Sequence, residues 1–118
     1  MTEHSNIQVG NAAVDAQRGW FVGSFIDEKL GLRHSEDVER KWGVHPTGEE
    51  RPEWVTGEVR TAVSILISGK FEIKFRDRTV TMSKPGDFAI WGKGDDHKWR
   101  TLEDAVVLTV RWPSIRQY

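Results

Sequence analysis

The chain has 118 residues, enough to bury one hydrophobic core and too few for two. Its 17 Lys and Arg nearly balance 18 Asp and Glu, so no basic footprint points to nucleic acid, and no apolar run is long enough to span a membrane. Cysteine is absent, which excludes disulfides, a thiol nucleophile and thiolate metal sites, and makes the cytoplasm or another reducing compartment the expected location.

Met1–Gln17 is polar and lacks periodicity, so an irregular arm is expected ahead of one domain over residues 18–118. The opening Met-Thr-Glu-His-Ser-Asn does not read as a signal peptide. Gly19–Ile26 has strand character, with Gly23 as a candidate bulge. Asp27–Ser35 is polar and should be a loop, briefly helical over 27–30. In Val38–His45 a strand would place Val38, Arg40, Trp42 and Val44 on one face and Glu39, Lys41, Gly43 and His45 on the other.

Pro46–Pro52 is turn-rich and charged, Trp54 closes it, and Thr56-Gly57-Glu58 makes another turn. Thr61–Ser68 is β-branched and largely apolar, the strongest strand in the chain. Gly69-Lys70 reads as a two-residue hairpin turn into the alternating strand Phe71–Phe75. Arg76-Asp77-Arg78 turns the chain into the strand Thr79–Met82. Pro85-Gly86 precedes the apolar run Phe88–Trp91, which Gly92 and Gly94 end. Val106–Trp112 is the last strong strand, and Pro113 stops it. No segment keeps a helical period. Many short strands bounded by turns predict an all-β fold, a small antiparallel β-barrel or jelly roll.

The stretch that carries chemistry is Pro85–Trp99. If the chain is extended after Gly94, His97 and Trp99 share a face and make a pocket wall of imidazole and indole. The plain alternative is a surface turn with a solvated His. Six Trp in so short a chain fit either a packed aromatic core or the lining of a small-molecule site.

The spacing of Gly86, Gly92, Gly94 and His97 resembles the second motif of the cupin superfamily, with Gly92 in place of its Pro and Thr101 in place of its Asn. Lys-Trp-Gly-Val-His, Gly-Glu-Glu-Arg-Pro-Glu-Trp, Ile-Ser-Gly-Lys-Phe and Val-Arg-Trp-Pro-Ser are similar to a Trp-rich subgroup of short bacterial single-domain cupins. The resemblance covers roughly residues 38 to 112 and implies a cupin-like β-barrel, His97 as a metal ligand, and a homodimer. The first cupin motif departs from the pattern: counted from Gly48, Trp54 and Thr56 fall on its two His positions and Ala62 on its Glu. One imidazole binds a divalent ion weakly, and stable sites need about three or four protein ligands. His45, Glu58 and His97 could rebuild a set for Fe, Mn, Ni or Zn.

A metal-free pocket with no cofactor is the favoured expectation. His97 and His45 are its candidate acid–base groups. Trp54, Trp42, Trp91 and Trp99 are candidate walls, Arg51 a clamp for a carboxylate or phosphate, and Glu53 or Glu58 a partner for a His. Arg51 has a surface alternative, pairing with Glu49 or Glu50. Three functions stay open. The first is a metal-independent isomerase, epimerase, cyclase or lyase on a small polar molecule. The second is a sensor or carrier using the same pocket. The third is a metal-dependent cupin of the dioxygenase kind. A small-molecule ligand is the expected partner in all three, with no nucleic acid and no membrane.

Overall fold

A computed structural model describes residues 7–16 and 18–115. One helical turn, α1 (Ala12–Asp15), is capped by the Asn11 side chain, which accepts from the Ala13 N–H at 2.9 Å. That turn corrects the irregular arm expected there; the rest of the arm call, at residues 1–6 and 17, lies outside the described residues. Then come β1 (Trp20–Val22), a 3-10 segment (Glu28–Arg33), β2 (Glu39–His45), β3 (Glu50–Val55), β4 (Thr61–Phe75), β5 (Thr79–Met82), β6 (Phe88–Trp91) and β7 (His97–Trp112).

The long strands β4 and β7 pair antiparallel from Thr61↔Trp112 to Phe75↔His97. β2 and β6 extend one half of this ribbon, and β3 and β5 extend the other. The two halves fold over one core of Ala62, Leu66, Phe71, Ile73, Met82, Ala89, Trp91, Ala105 and Val107. This is the expected all-β jelly roll. Leu66 and Met82 are fully buried, and each contributes roughly 1.5–3 kcal/mol by leaving water.

The Gly69-Lys70 hairpin is corrected: β4 runs straight through it. Locally the pair reads as a tight turn, but a ladder to β7 continues on both sides and overrides it. The register shifts between Leu66 and Phe71 instead. Before the shift Ala62, Ser64 and Leu66 face inward; after it Phe71 and Ile73 do. A bulge therefore exchanges even for odd positions and keeps the apolar side of both halves in the core. Gly69 makes this possible. Its φ is +85°, and a Cβ there would lie 2.0 Å from the Asp104 carbonyl oxygen.

Other elements differ from expectation: β7 begins at His97 rather than at Val106, and the helical stretch expected over 27–30 is the 3-10 segment Glu28–Arg33. The first strand is only Trp20–Val22, followed by a bridge from Gly23 to His34. The turn-rich stretch at Pro46–Pro52 ends early, and β3 takes Arg51, Pro52 and Trp54 into the sheet. On β2 it is the Glu39, Lys41, Gly43, His45 face that turns inward. Val44 on the other face is 61% exposed.

Gly69→Ala should destabilise the fold by about 3 kcal/mol, from a left-handed backbone plus the clash with Asp104. Urea unfolding checks this; an unchanged midpoint would show that the bulge is not fixed by the close approach of β7.

Candidate functional site

The inward faces of β2, β4 and β7 enclose a chamber of about 260 Å³. It opens into an outer hollow of about 670 Å³, and Lys41, Gly43, His45, Arg51 and Trp99 line both. His45, Arg51, Glu58, Trp91, His97 and Trp99 all reach the chamber, so most of the expected site residues come together.

His97 sits at the start of β7, at the expected position beside Trp99 on the same face. Its ring lies 4.9 Å from that of Trp91 and 6.4 Å from that of Phe75. Burial is the main reason its pKa falls from 6.5 to about 4; Glu58 opposes this, and Arg51 and Arg111 add to it. The imidazole is therefore neutral at physiological pH. Its Nδ1 and the Trp91 Nε1 are buried without a hydrogen-bond partner among the described residues.

His45 is held differently. It ends β2, is 8% exposed, and contacts Trp99 at 4.7 Å and Phe71 at 5.2 Å between ring centroids. Its Nδ1 makes a short hydrogen bond to Glu49 Oε1. A carboxylate at Nδ1 favours the tautomer with the proton on Nδ1, which leaves Nε2 as an acceptor. Nε2 lies over Gly43, where a Cβ would be 2.6 Å away. Gly43 thus keeps open the space in front of the free nitrogen.

One wall of the chamber was hidden in the sequence. Glu39, fully buried on β2, accepts from Arg60 at 3.1 Å and Arg111 at 2.8 Å on one oxygen. Its other oxygen takes the Ser114 hydroxyl and the Ile115 N–H, both at 3.0 Å. Arg60 also grips Glu58 through Nε and NH2 at 3.0–3.1 Å. Arg111 lies 4.0 Å over the Trp20 ring, and Lys41 lies 5.7 Å over the same ring. The signal that could have found these residues is alternation. Glu39, Lys41, Gly43 and His45 keep one face of β2, and a polar inward face means a lined cavity or a charge network.

Three expectations are corrected. Trp54 lines neither space, because β3 bulges between Arg51↔Trp99 and Val55↔His97. The bulge turns Trp54 outward, where Arg76 covers it at 3.9 Å and Lys98 at 4.8 Å. Trp42 lies on the outward face of β2 and borders only the outer hollow. Arg51 has no ion pair among the described residues, and Glu49 is engaged by His45 rather than by Arg51.

The metal that the resemblance implies would need a converging donor set. His45, Glu58 and His97 share the chamber, but Glu49 engages the first and Arg60 chelates the second. Among the described residues no three His, Asp or Glu side chains come together to hold an ion. The residues present do not fit a cupin metal.

Comparison with known proteins supports the architecture. No family model matches the sequence, and no curated protein matches it. Solved structures do. A cupin protein from Bacteroides fragilis superposes with a TM-score of 0.70 at 18% identity, over 97% of this chain and 92% of its own. KdgF from a Halomonas species gives 0.63 at 20% identity, over 71% and 77%. A cupin-2 domain protein from Shewanella frigidimarina gives 0.54 at 22%, over 65% and 72%. No helix among the described residues is long and apolar enough to cross a membrane.

The depressed His97 predicts a pH dependence. With the folded value at about 4 and the unfolded value near 6.5, the unfolded chain takes the proton first as pH falls. The stability is whole above 6.5 and is lost toward 4. Urea unfolding should show up to about 2 kcal/mol lost between about pH 7 and about pH 5, and His97→Gln should lose clearly less. Equal losses in both proteins would place His97 in water.

Proposed function

We propose that this chain, which has the cupin fold, takes a small polar molecule into the chamber and transfers a proton on it without a metal ion. The observation that carries the reading is His45: Glu49 fixes one nitrogen, and the other opens over Gly43 into the chamber. Oriented this way, an imidazole serves as a general base, a role worth roughly 10²–10⁴-fold in rate. His97, neutral and buried, offers the ligand a hydrogen bond, as does the Trp91 indole N–H. Trp99 and Phe71, stacked at 5.3 Å, supply the apolar wall. Isomerases, epimerases, cyclases and lyases all need such a proton transfer, and this is the reaction class we assign.

The second reading, a carrier or sensor without turnover, shares the chamber. It draws on His97, which at about 4 is too weakly basic to relay protons near neutrality. We place the protein in the cytoplasm on its lack of cysteine, as a single barrel over residues 18–118 behind a short arm.

A homodimer belongs to the same proposal. The outward faces of β4 and β7 are apolar, and among the described residues they are only partly covered. Val63, Ile65, Val106, Leu108 and Val110 continue there into Phe88 and Ile90 of β6, which are 64% and 55% exposed. Registers Phe88↔Ile65↔Leu108 and Ile90↔Val63↔Val110 make this one contiguous patch. A flat apolar patch that repeats on each copy suits an isologous sheet-on-sheet interface.

Two experiments test these statements. Chelator-treated protein in D₂O, with a panel of small sugars, hydroxy acids and keto acids, should place deuterium in a bound ligand, read by NMR. His45→Gln should slow that exchange by about 10²–10⁴-fold while keeping the binding. Binding with no exchange in the wild type moves the chain to the carrier reading. In sedimentation the wild type should show twice the 13.5 kDa chain mass, and Phe88→Glu with Ile90→Glu should show the chain mass with unchanged circular dichroism. A wild-type monomer would leave the apolar face unexplained and sink the dimer.

A further inference from the structure

Beyond the fold-level reading, the charges of the chamber select a ligand. Its wall carries Lys41, Arg51, Arg111 and Glu58, with His97 neutral. Two of these are already spent. Arg111 is bound to Glu39 and Glu58 to Arg60, and the four charges of that network cancel. Lys41 and Arg51 remain, and neither has a hydrogen-bond or carboxylate partner among the described residues. Lys41 rests on the face of Trp20 instead. The cations also oppose one another: burial first, and then Arg111, hold the Lys41 ammonium below its ordinary range; Glu49 opposes this and Arg51 adds to it.

We infer that the chamber binds the carboxylate of a small organic monoanion, with Arg51 and Lys41 clamping the carboxylate and Trp99 covering the body of the ligand. This rests on the small-molecule reading of the same chamber and names its substrate class. An arriving carboxylate gives the two cations the direct partner they lack among the described residues. Arg51 gives it a planar fork and Lys41 a point charge. The opposite wall is aromatic, and the unpartnered His97 Nδ1 and Trp91 Nε1 suit neutral polar groups farther along the ligand.

Size and the rim narrow the class. At about 30 Å³ per water, 260 Å³ holds the equivalent of roughly nine waters, so a ligand of about ten non-hydrogen atoms fits. The outer hollow carries Glu49, Glu50 and Glu53 together with Arg18, Lys41 and Arg51. Acids around a basic floor repel polyanions that a single carboxylate can slip past.

The test uses an isosteric pair that differs in charge, benzoate and benzamide, with inorganic phosphate as the third probe. Binding is read by intrinsic Trp emission and by calorimetry at low and at moderate salt. Benzoate should bind more tightly than benzamide, and more weakly as salt rises. Arg51→Gln should cost benzoate about tenfold or more in affinity, as loss of a charge-assisted contact does, and leave benzamide within about twofold. Arg51 is exposed and unpaired, so this variant folds; Lys41→Met provides an independent second loss. Benzamide binding as well as benzoate overturns the anion assignment and leaves the small-molecule chamber standing. Phosphate binding more tightly than benzoate overturns the carboxylate. Failure of all three probes to bind, with the protein folded, sinks the chamber reading along with the inference.

Discussion

The structure depends on a carboxylate with no access to water. Glu39 holds two guanidinium groups on one oxygen and the carboxy-terminal segment on the other. Through Arg60 it reaches the loop before β4, through Arg111 it reaches β7, and through Ser114 it reaches Ser24 after β1. Four parts of the chain are therefore registered against β2 by one side chain. Removing one partner from such a buried network costs about 3–5 kcal/mol, because the remaining charge has nowhere to go. Replacing the whole network by apolar residues of similar volume can be neutral. What the network adds over an apolar plug is shape and polarity. It keeps Arg111 and Glu58 at the wall of the chamber and stops Glu58 from pairing with Lys41 or Arg51.

This explains why so much of the fold was legible and the site less so. Strands β2, β5 and β6 follow from alternation and punctuation, and they fall within a residue or so of where the sequence places them. The merging of Thr61–Phe75 into one strand was not legible. Gly69-Lys70 has the local chemistry of a hairpin, and only the long-range ladder to β7 shows that the glycine serves a bulge. The same limit displaced Trp54. Counting along the chain puts it at an inherited ligand position, but a bulge in β3 is invisible to counting and turns the ring onto the outer surface. His97 and Trp99 share a face as expected because nothing interrupts the two-residue period between them.

Glu39, Lys41 and Arg111 were within reach of the sequence, which divides Val38–His45 into two faces without showing which is interior. The more apolar face carries Trp42 and Val44. It faces outward here, onto the patch that β4, β6 and β7 continue. The polar face encloses the chamber. A strand with its charges inside and its valines outside is unstable alone, so its orientation is set by the partners on both sides.

The two imidazoles show how one chamber separates two roles by environment alone. Both are buried against aromatic rings, and burial by itself favours the neutral ring. His97 has no partner at Nδ1 and two nearby guanidiniums, so it resists a proton down to about 4. His45 has a carboxylate at Nδ1, which orders its tautomer and aims Nε2 across Gly43. In a metal site both rings would point their lone pairs at one ion. Here the first shares the chamber with a carboxylate already chelated by Arg60, and the second is pinned by Glu49. Of the side chains that could have converged on a cation, His45 and Glu58 face partners of their own. Among the described residues the chamber leaves positive charge unpaired at Lys41 and Arg51, and that is the property the proposed ligand answers.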